Sequence, residues 1–329
     1  MKDLNISVVI PNYNGVHLFP FTLPALFDAL TNSGKQFEVI IVDDCSTDDS
    51  VNYLRDNFPQ ISVISNSSNL GFSKTINRGI DTATHELVLL LNSDVKLTNN
   101  YFADQLRYFE RSDTFGVMGK IIGWDDDLVQ DTAKYPKFDA FKLKTSFNYL
   151  SSDSNQLSYS MYLSGANALV DRKKLLELGG FNSLYSPFYM EDVDLSIRAW
   201  RIGWKCYFEP LSICRHRTST SIASKEKKQF IKTIYNRNKM YFHAIHLNGL
   251  TLAGWYAQTF FELLFRTLIL QFYYIRSFVA FIKSDSGIRD SRSNLEELSK
   301  RTGVFLTLNS VADLIKKSVE HQDISITKR

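Results

Sequence analysis

The amino-acid sequence predicts an α/β protein: a doubly wound, mostly parallel sheet followed by a helical C-terminal extension. Three observations carry this. Three strand-then-helix units and a fourth strand follow one another before residue 92, and such alternation predicts parallel strands joined by crossover helices. Leu87-Val-Leu-Leu-Leu91 is an unbroken apolar run and reads as a strand buried on both faces. Beyond residue 224 the β-branched runs give way to long segments with helical periodicity. The expected division is a sheet domain over 1–218 and an extension over 219–329.

Taken in order, Ile6-Ser-Val-Val-Ile10 is a β-branched strand that breaks at the turn-rich Pro11-Asn-Tyr-Asn-Gly15. A helix over 18–30 follows. Phe37-Glu-Val-Ile-Ile-Val42 is the second strand and ends on Asp43-Asp44. Ser46 with Asp49 has the spacing of a capping box opening the next helix. Residues 61–64 form a third short strand. Asn69-Leu-Gly-Phe72 turns into a helix with Phe72, Ile76, Ile80 and Ala83 on one face. The fourth strand, 87–91, stops on Asn92-Ser93-Asp94. Polar clusters therefore recur at the ends of strands 1, 2 and 4, where open α/β sheets hold their ligands. A carboxylate such as Asp44 can accept the ring N–H of a uracil or thymine. Asp94 can hold a divalent cation, and the cation a diphosphate. The alternative at each site is a turn in which Asn and Asp bond their own backbone.

Composition bounds the function. With 329 residues, 44% apolar and 22% charged, the chain is an ordinary globular protein of one large or two modest domains. A net charge of +3 gives no footprint for nucleic acid. Three cysteines without a CxxC indicate neither a disulfide framework nor a zinc site. The opening residues lead directly into a strand with no apolar signal region, so the expected location is cytoplasmic, at the inner face of the cytoplasmic membrane. There is no GxGxxG after the first strand and no GxxxxGK[ST] anywhere, which excludes the dinucleotide fingerprint and the P-loop.

Four stretches together carry a family resemblance: Val8-Val-Ile-Pro-Asn-Tyr-Asn-Gly15, Val42-Asp-Asp-Cys-Ser-Thr-Asp48, Asn69-Leu-Gly-Phe72 with Asn77 and Gly79, and Leu91-Asn-Ser-Asp94. In this order and spacing the chain resembles the inverting family-2 glycosyltransferases with a GT-A fold, of the rhamnosyl- and galactofuranosyltransferase type. The resemblance implies nucleotide contacts from Pro11, Asn12, Tyr13, Asp43, Asp44, Asn69, Gly71, Asn77 and Asn92. It also implies a metal–diphosphate at Asp94. Asn92 stands where the family motif has its first Asp, leaving Asp94 alone.

In the second half, Gly116-Val-Met-Gly-Lys-Ile-Ile122 reads as a strand, and 124–159 as a loop-rich insertion with a hairpin. Asp125-Asp-Asp127 reads as a solvated turn rather than a second metal site. Leu163-Ser-Gly-Ala-Asn-Ala-Leu-Val170 is strand-like, with small residues that let backbone approach a sugar. A short helix over 172–178 closes on Gly179-Gly180. In Met190-Glu-Asp-Val-Asp-Leu-Ser-Ile-Arg-Ala-Trp200, Val193, Ile197 and Trp200 share a helical face, placing Glu191, Asp192 and Asp194 in the first turn. Acidic residues there complement a helix dipole, which accounts for Asp194. By resemblance, Glu191-Asp192 is the family's acid motif, with Asp192 the catalytic base, and His216 is its metal-binding histidine; Glu191 is assigned to orienting the acceptor.

The resemblance ends near residue 218. Helices are expected over 224–245 and 250–283, with one more amphipathic helix over 311–319. From Arg215 to Lys239 eight Lys or Arg stand against the single acid Glu226, a solvated face or a basic surface for diphosphate or anionic lipid. The aromatic stretch 250–282 is interrupted by Gln258, Glu262, Arg266, Gln271 and Arg276, which fits a helix that is buried or lies in a membrane interface rather than one that spans it. The expected activity is inverting transfer from a UDP- or dTDP-sugar to a hydroxyl of a glycan or lipid-linked acceptor, with Mg²⁺ or Mn²⁺ between Asp94, His216 and the diphosphate. The alternatives are a sugar-nucleotide-binding module without catalysis, or a sugar nucleotidyltransferase.

Overall fold

The computed structural model describes residues 4–153, 156–217 and 225–328. The first half alternates as expected: β1 (Ile6–Asn12), α1 (Phe19–Asn32), β2 (Phe37–Asp43), α2 (Ser50–Asn57), β3 (Ser62–Ser65), α3 (Phe72–Thr82) and β4 (Leu87–Leu91). β3, β2, β1 and β4 lie side by side and parallel, so their C-terminal ends share one rim, with Asn12 in register opposite Asp43. Both faces of β4 are buried. Leu87, Leu89 and Leu91 face a core with α1, while Val88 and Leu90 face a second core that reaches into the C-terminal helices. That division follows from the two-residue period of a strand.

The sheet continues through the second half. β5 (Val95–Leu97), β6 (Thr114–Gly123), β7 (Val129–Asp131), β8 (Ala133–Lys134), β9 (Lys137–Asp139), β10 (Lys142–Lys144), β11 (Phe147–Ser151) and β12 (Ser158–Tyr159) lead to β13 (Asn167–Asp171), α4 (Arg172–Glu177), α5 (Glu191–Arg201) and β14 (Lys205–His216). The main sheet runs β12-β14-β6-β13-β4-β1-β2-β3, with β5 added to β14 and β7 to β6. β13 is antiparallel to both neighbours, and β14 is parallel to β6. The insertion contains the expected hairpin, β9 with β10.

The C-terminal third comprises α6 (Lys225–His246), α7 (Gly249–Leu268), α8 (Phe272–Lys283), α9 (Asp285–Thr302), α10 (Leu308–Ser318) and β15 (Ile324–Lys328), the last pairing with β11. It has no separate core: Val311, Ile315, Leu295 and Phe242 join the cluster that holds Trp200, Val193 and Leu90. Among the described residues no helix is long and apolar enough to cross a membrane.

Three local expectations are corrected. Ser46 does not cap a helix: α2 starts at Ser50 with Asp49 as its N-cap residue, and the Ser46 hydroxyl donates instead to Asp43. The helix expected over 250–283 is two helices, broken where Leu270 takes a left-handed φ of 56°. The polar segment after Ser284 contains the 18-residue α9. Its apolar residues are few, and its inner face is held by Arg292, which donates to the carbonyls of Ala244 and Leu247 at the end of α6.

Candidate active site

Each rim cluster is first a turn that the chain satisfies internally. Asn12 is buried at the end of β1 and its amide donates to Asp43 (2.9 Å) and Ser46 (3.2 Å). Asp43, also buried, accepts the Ser46 N–H (3.0 Å). Asn14 adopts a left-handed φ of 55°, and its side-chain carbonyl takes the Thr47 and Asp48 N–H groups at 2.8 and 3.2 Å. Asp44 accepts the Leu70 and Gly71 N–H groups (2.8 and 3.0 Å) and the Asn66 amide (2.8 Å). Three of its roughly four acceptor positions are thus filled, leaving one. Gly71 is required twice over: its φ is 79°, and a Cβ there would lie 3.1 Å from Pro187 Cα. Tyr13, 54% exposed, and Asn69, also exposed, stand beyond these turns, with Pro11 at the strand end. Asn77 is engaged elsewhere: its amide brackets the Phe181 backbone, accepting from its N–H and donating to its carbonyl, both at 2.8 Å.

Asp94 and His216 meet. β5 follows Asp94 and pairs antiparallel with the end of β14, in register Val95 to His216, and the Arg217 N–H donates to the Asp94 carbonyl (3.1 Å). The strand pairing sets His216 Nε2 3.4 Å from an Asp94 carboxylate oxygen. The other oxygen, Oδ1, is buried without a hydrogen-bond partner. Gln130 at the centre of β7 fixes the ring. Its Nε2 donates to the His216 carbonyl (3.4 Å), so its Oε1 is the atom facing Nδ1 at 3.0 Å. That contact suits a proton on Nδ1, so Nε2, the nitrogen beside Asp94, is the one a metal would take. Sequence reasoning missed Gln130, since nothing in a short polar strand announces which ring it will face.

The acidic pair opens α5. Glu191 is buried, and its Oε2 has no partner. Burial, reinforced by the neighbouring Asp192, pushes its carboxyl up, so the pair resists carrying two charges at once. Burial also raises Asp192; backbone hydrogen bonds from Val193 and Gly165 and the charge of Lys134 act the other way. Asp194 does more than complement the helix dipole. It is fully buried, accepting from Arg198 (2.8 Å), His246 (2.9 Å) and Tyr185 (3.1 Å). This cluster bolts α6 to α5. Two turns earlier on α6, buried Asn238 donates to the carbonyls of Tyr185, Phe188 and Tyr189 at 2.6–2.9 Å. The helical third thereby shapes the loop that delivers Glu191 and Asp192.

Residues 164–166 separate the two halves of the site. The Asn92 N–H donates to the Ala166 carbonyl (3.1 Å), and a Cβ at Gly165 would lie 3.6 Å from both Asp192 Cβ and the Phe72 ring. The end of β4 and the start of α5 thus flank one short segment of small residues. Asp125-Asp-Asp127 is a turn, as expected: Asp126 accepts the Leu128 N–H and Asp127 pairs with Arg215 at 2.7 Å. The basic run is divided. Residues 218–224 lie outside the described part, Lys227 and Lys228 are exposed, and Arg237 donates to the Ser186 carbonyl (2.5 Å).

Comparison with known proteins identifies the family and the fold. The sequence is 28% identical over 237 residues to the amylovoran biosynthesis glycosyltransferase AmsB of Erwinia amylovora, covering 70% of this chain and 76% of that protein. It is 24% identical over 246 residues to the N-acetylglucosaminyl-diphospho-decaprenol L-rhamnosyltransferase of Mycobacterium tuberculosis, covering 67% and 78%. The fold matches GalNAc-T7, solved with UDP, GalNAc and Mn²⁺, with a TM-score of 0.64 at 14% identity; the match covers 98% of this chain and 58% of that one. It also matches the mannosyltransferase PcManGT of Pyrobaculum calidifontis, solved with GDP-Man and Mn²⁺, with a TM-score of 0.53 at 15% identity over 97% of this chain and 87% of that one. The expected GT-A fold is therefore present. The family model for glycosyl transferase family 2 matches residues 7–179, more than half of the chain, and the chain belongs to that family.

Proposed function

We propose that the chain transfers a sugar, with inversion, from a UDP- or dTDP-linked donor to a hydroxyl of a glycan or lipid-linked acceptor in the synthesis of a surface polysaccharide. The observation that carries this reading is the meeting of Asp94 and His216, far apart in sequence, beside a rim that resembles a nucleotide cradle. The names of the relatives support it: one acts in amylovoran biosynthesis and one is a rhamnosyltransferase of a diphospho-decaprenol. So do the fold neighbours, which were solved with nucleotide ligands and Mn²⁺.

On this reading the rim residues Pro11, Asn12, Tyr13, Asp43, Asp44, Asn69, Gly71 and Asn92 hold the nucleotide. The remaining acceptor position of Asp44 takes a base N–H, and the exposed Tyr13 ring offers a face to the base. Asn77 acts at one remove, by fixing the Phe181 backbone. A divalent cation fits Asp94 and His216, since one carboxylate oxygen is buried without a partner and one ring nitrogen is freed by Gln130. Two protein ligands suffice for an ion that completes its shell with diphosphate and water. Bound there, Mg²⁺ or Mn²⁺ would neutralise charge developing on the leaving diphosphate.

The acceptor oxygen attacks the anomeric carbon while the bond from that carbon to the diphosphate oxygen breaks, and the hydroxyl proton passes to Asp192. A base with a raised pKa is a stronger base, and Glu191, neutral beside it, can donate a hydrogen bond to the acceptor. The exposed apolar side chains of α7 and α8 would rest the protein on the inner face of the cytoplasmic membrane. The test is donor turnover with and without acceptor, in Mn²⁺ and in excess EDTA. Sugar transfer that stops in EDTA is the expected result. Full transfer in EDTA would remove the metal from the account, and binding without turnover would reduce the chain to a binding module.

A further inference from the structure

A second charged cavity lies away from the strand rim, where four elements converge. The β9–β10 hairpin contributes Asp139, Lys142 and Lys144, α6 contributes Lys239, and α7 contributes Glu262 and Arg266 to a cavity of about 200 Å³. Two of the cations are paired within it: Lys142 with Glu262 at 2.6 Å and Lys144 with Asp139 at 2.7 Å. Lys239 and Arg266 have no carboxylate within 4 Å among the described residues. The cavity thus holds four positive and two negative side chains. Burial, then the charges of Lys144 and Lys142, push the Lys239 ammonium down to about 8. His243 adds no charge, since burial lowers its imidazole to about 3 and its Nε2 accepts the Leu143 N–H (2.9 Å). Arg266 also donates from Nη1 to Gln271 (2.5 Å) and Tyr273 (3.2 Å) at the α7–α8 connection, which fixes its plane but leaves the excess positive charge of the cavity in place. An anion in the cavity would offset the mutual repulsion of the cations, with Lys239 as a point charge and Arg266 as a planar donor.

Two neighbours say which anion. Lys239 lies over the Tyr235 ring at 5.2 Å, and Tyr235 meets Tyr189 edge-on at 5.7 Å; Tyr189 is two residues before Glu191. Ring contacts thus connect the cavity to the loop that precedes Glu191 and Asp192. On α7, one position before each cavity residue, Phe261 and Phe265 are 68% and 61% exposed, and Leu268 is 81% exposed. In helical projection this apolar stripe lies about 100° from Glu262 and Arg266. An exposed apolar face of this extent marks an interaction surface, and here it adjoins an excess of positive charge.

We infer that the cavity seats the diphosphate of a lipid-linked acceptor. Its hydrocarbon chain lies along the apolar face of α7 and α8, and its sugar extends past Tyr189 toward Asp192. The last part rests on the proposed role of Asp192; the cavity and its ligand do not. The probe is farnesyl diphosphate, bound to the full chain in EDTA so that no metal can hold it at Asp94 and His216. Farnesol and inorganic pyrophosphate are the comparators. Farnesyl diphosphate should bind more tightly than either. Lys239→Gln and Arg266→Gln should each weaken it about tenfold or more, the worth of a charged hydrogen bond, while Lys239→Arg stays within a few-fold of the parent. Unchanged binding in both glutamine variants would overturn the cavity assignment, and farnesol binding as tightly would overturn the anion. Pyrophosphate binding as tightly would overturn the lipid. UDP binding with Mn²⁺, measured on the parent and Lys239→Gln, should be equal, and its absence in the parent would count against the donor site alone. Lys239 is partly exposed, and the pair of glutamine variants guards against one of them folding poorly.

Discussion

The rim of β1, β2 and β4 and the loop into α5, the two sides of the proposed site, are built by different means. On the rim, polar side chains tie the end of one sheet strand to the loop after the next: Asn12 on Asp43, Asn14 on Thr47, Asp44 on Leu70 and Gly71. In the loop, the shape is imposed from afar by Asn238 and His246 on α6. Each side keeps buried oxygens without a partner, Asn12 Oδ1 and Asp94 Oδ1 on the rim and Glu191 Oε2 in the loop, and in the loop burial raises the Glu191 carboxyl. The difference teaches where each half of the chemistry is held. On the proposed function, the donor side is a cradle of hydrogen-bonded strand ends and the acceptor side is a buried acidic pair held in place by α6.

That contrast can be broken at Asp192. Asp192→Asn keeps the shape and removes the base, so turnover should fall by roughly 10²–10⁴-fold, with UDP affinity unchanged. Equal loss of UDP affinity would mean the two sides are not separable. Asn238→Ala leaves the carbonyls of Tyr185, Phe188 and Tyr189 unpaired and should cost about 1–3 kcal/mol of stability, lowering kcat while UDP binding at the rim persists. A melt identical to the parent's would show that α6 does not brace the loop.

Glu191→Gln should cost less turnover than Asp192→Asn, because the amide resembles the protonated acid. It also carries a sign in pH. A carboxyl whose folded pKa is raised binds its proton more tightly in the folded state, so its contribution favours folding at low pH and is lost as pH rises. For Glu191 the loss runs from about 4.5 to about 8. The melting-temperature difference, Glu191→Gln minus parent, should grow across that window and level off above it. If Glu191→Gln abolishes turnover and Asp192→Asn does not, the base is the other carboxylate. The smallest effect on chemistry is expected from Phe261→Ser with Phe265→Ser: flotation with anionic vesicles should weaken while UDP binding stays as it was. Undiminished flotation would remove α7 from the membrane surface. Substitution is the right tool because a chain cut near 218 would lose His246 from Asp194 and part of the shared core.

The same contrast explains what could be read from sequence. The rim was legible because its signals are local: an apolar run with a polar end, repeated at β1, β2 and β4. The hairpin and the short helix before Gly179-Gly180 were legible for the same reason. Gln130, Asn238 and the pairing of Asp194 with His246 were not, since each depends on a partner dozens of residues away. The break at Leu270 was hidden because a left-handed residue other than glycine leaves no compositional mark. α9 was hidden by its polarity, its place being fixed by Arg292 rather than by a broad apolar face. His216 was singled out by resemblance alone; spacing does not show that β5 would carry Asp94 to it.

The central claim is that Asp94 and His216, with Gln130 behind them, form the seat of a metal-bound diphosphate. The most direct measurement is UDP affinity with Mn²⁺ and in EDTA, for the parent and for Asp94→Ala. The account expects tighter binding with Mn²⁺ in the parent and little difference between the two conditions in Asp94→Ala. A variant that keeps the full Mn²⁺ enhancement, or a parent that shows none, would contradict it.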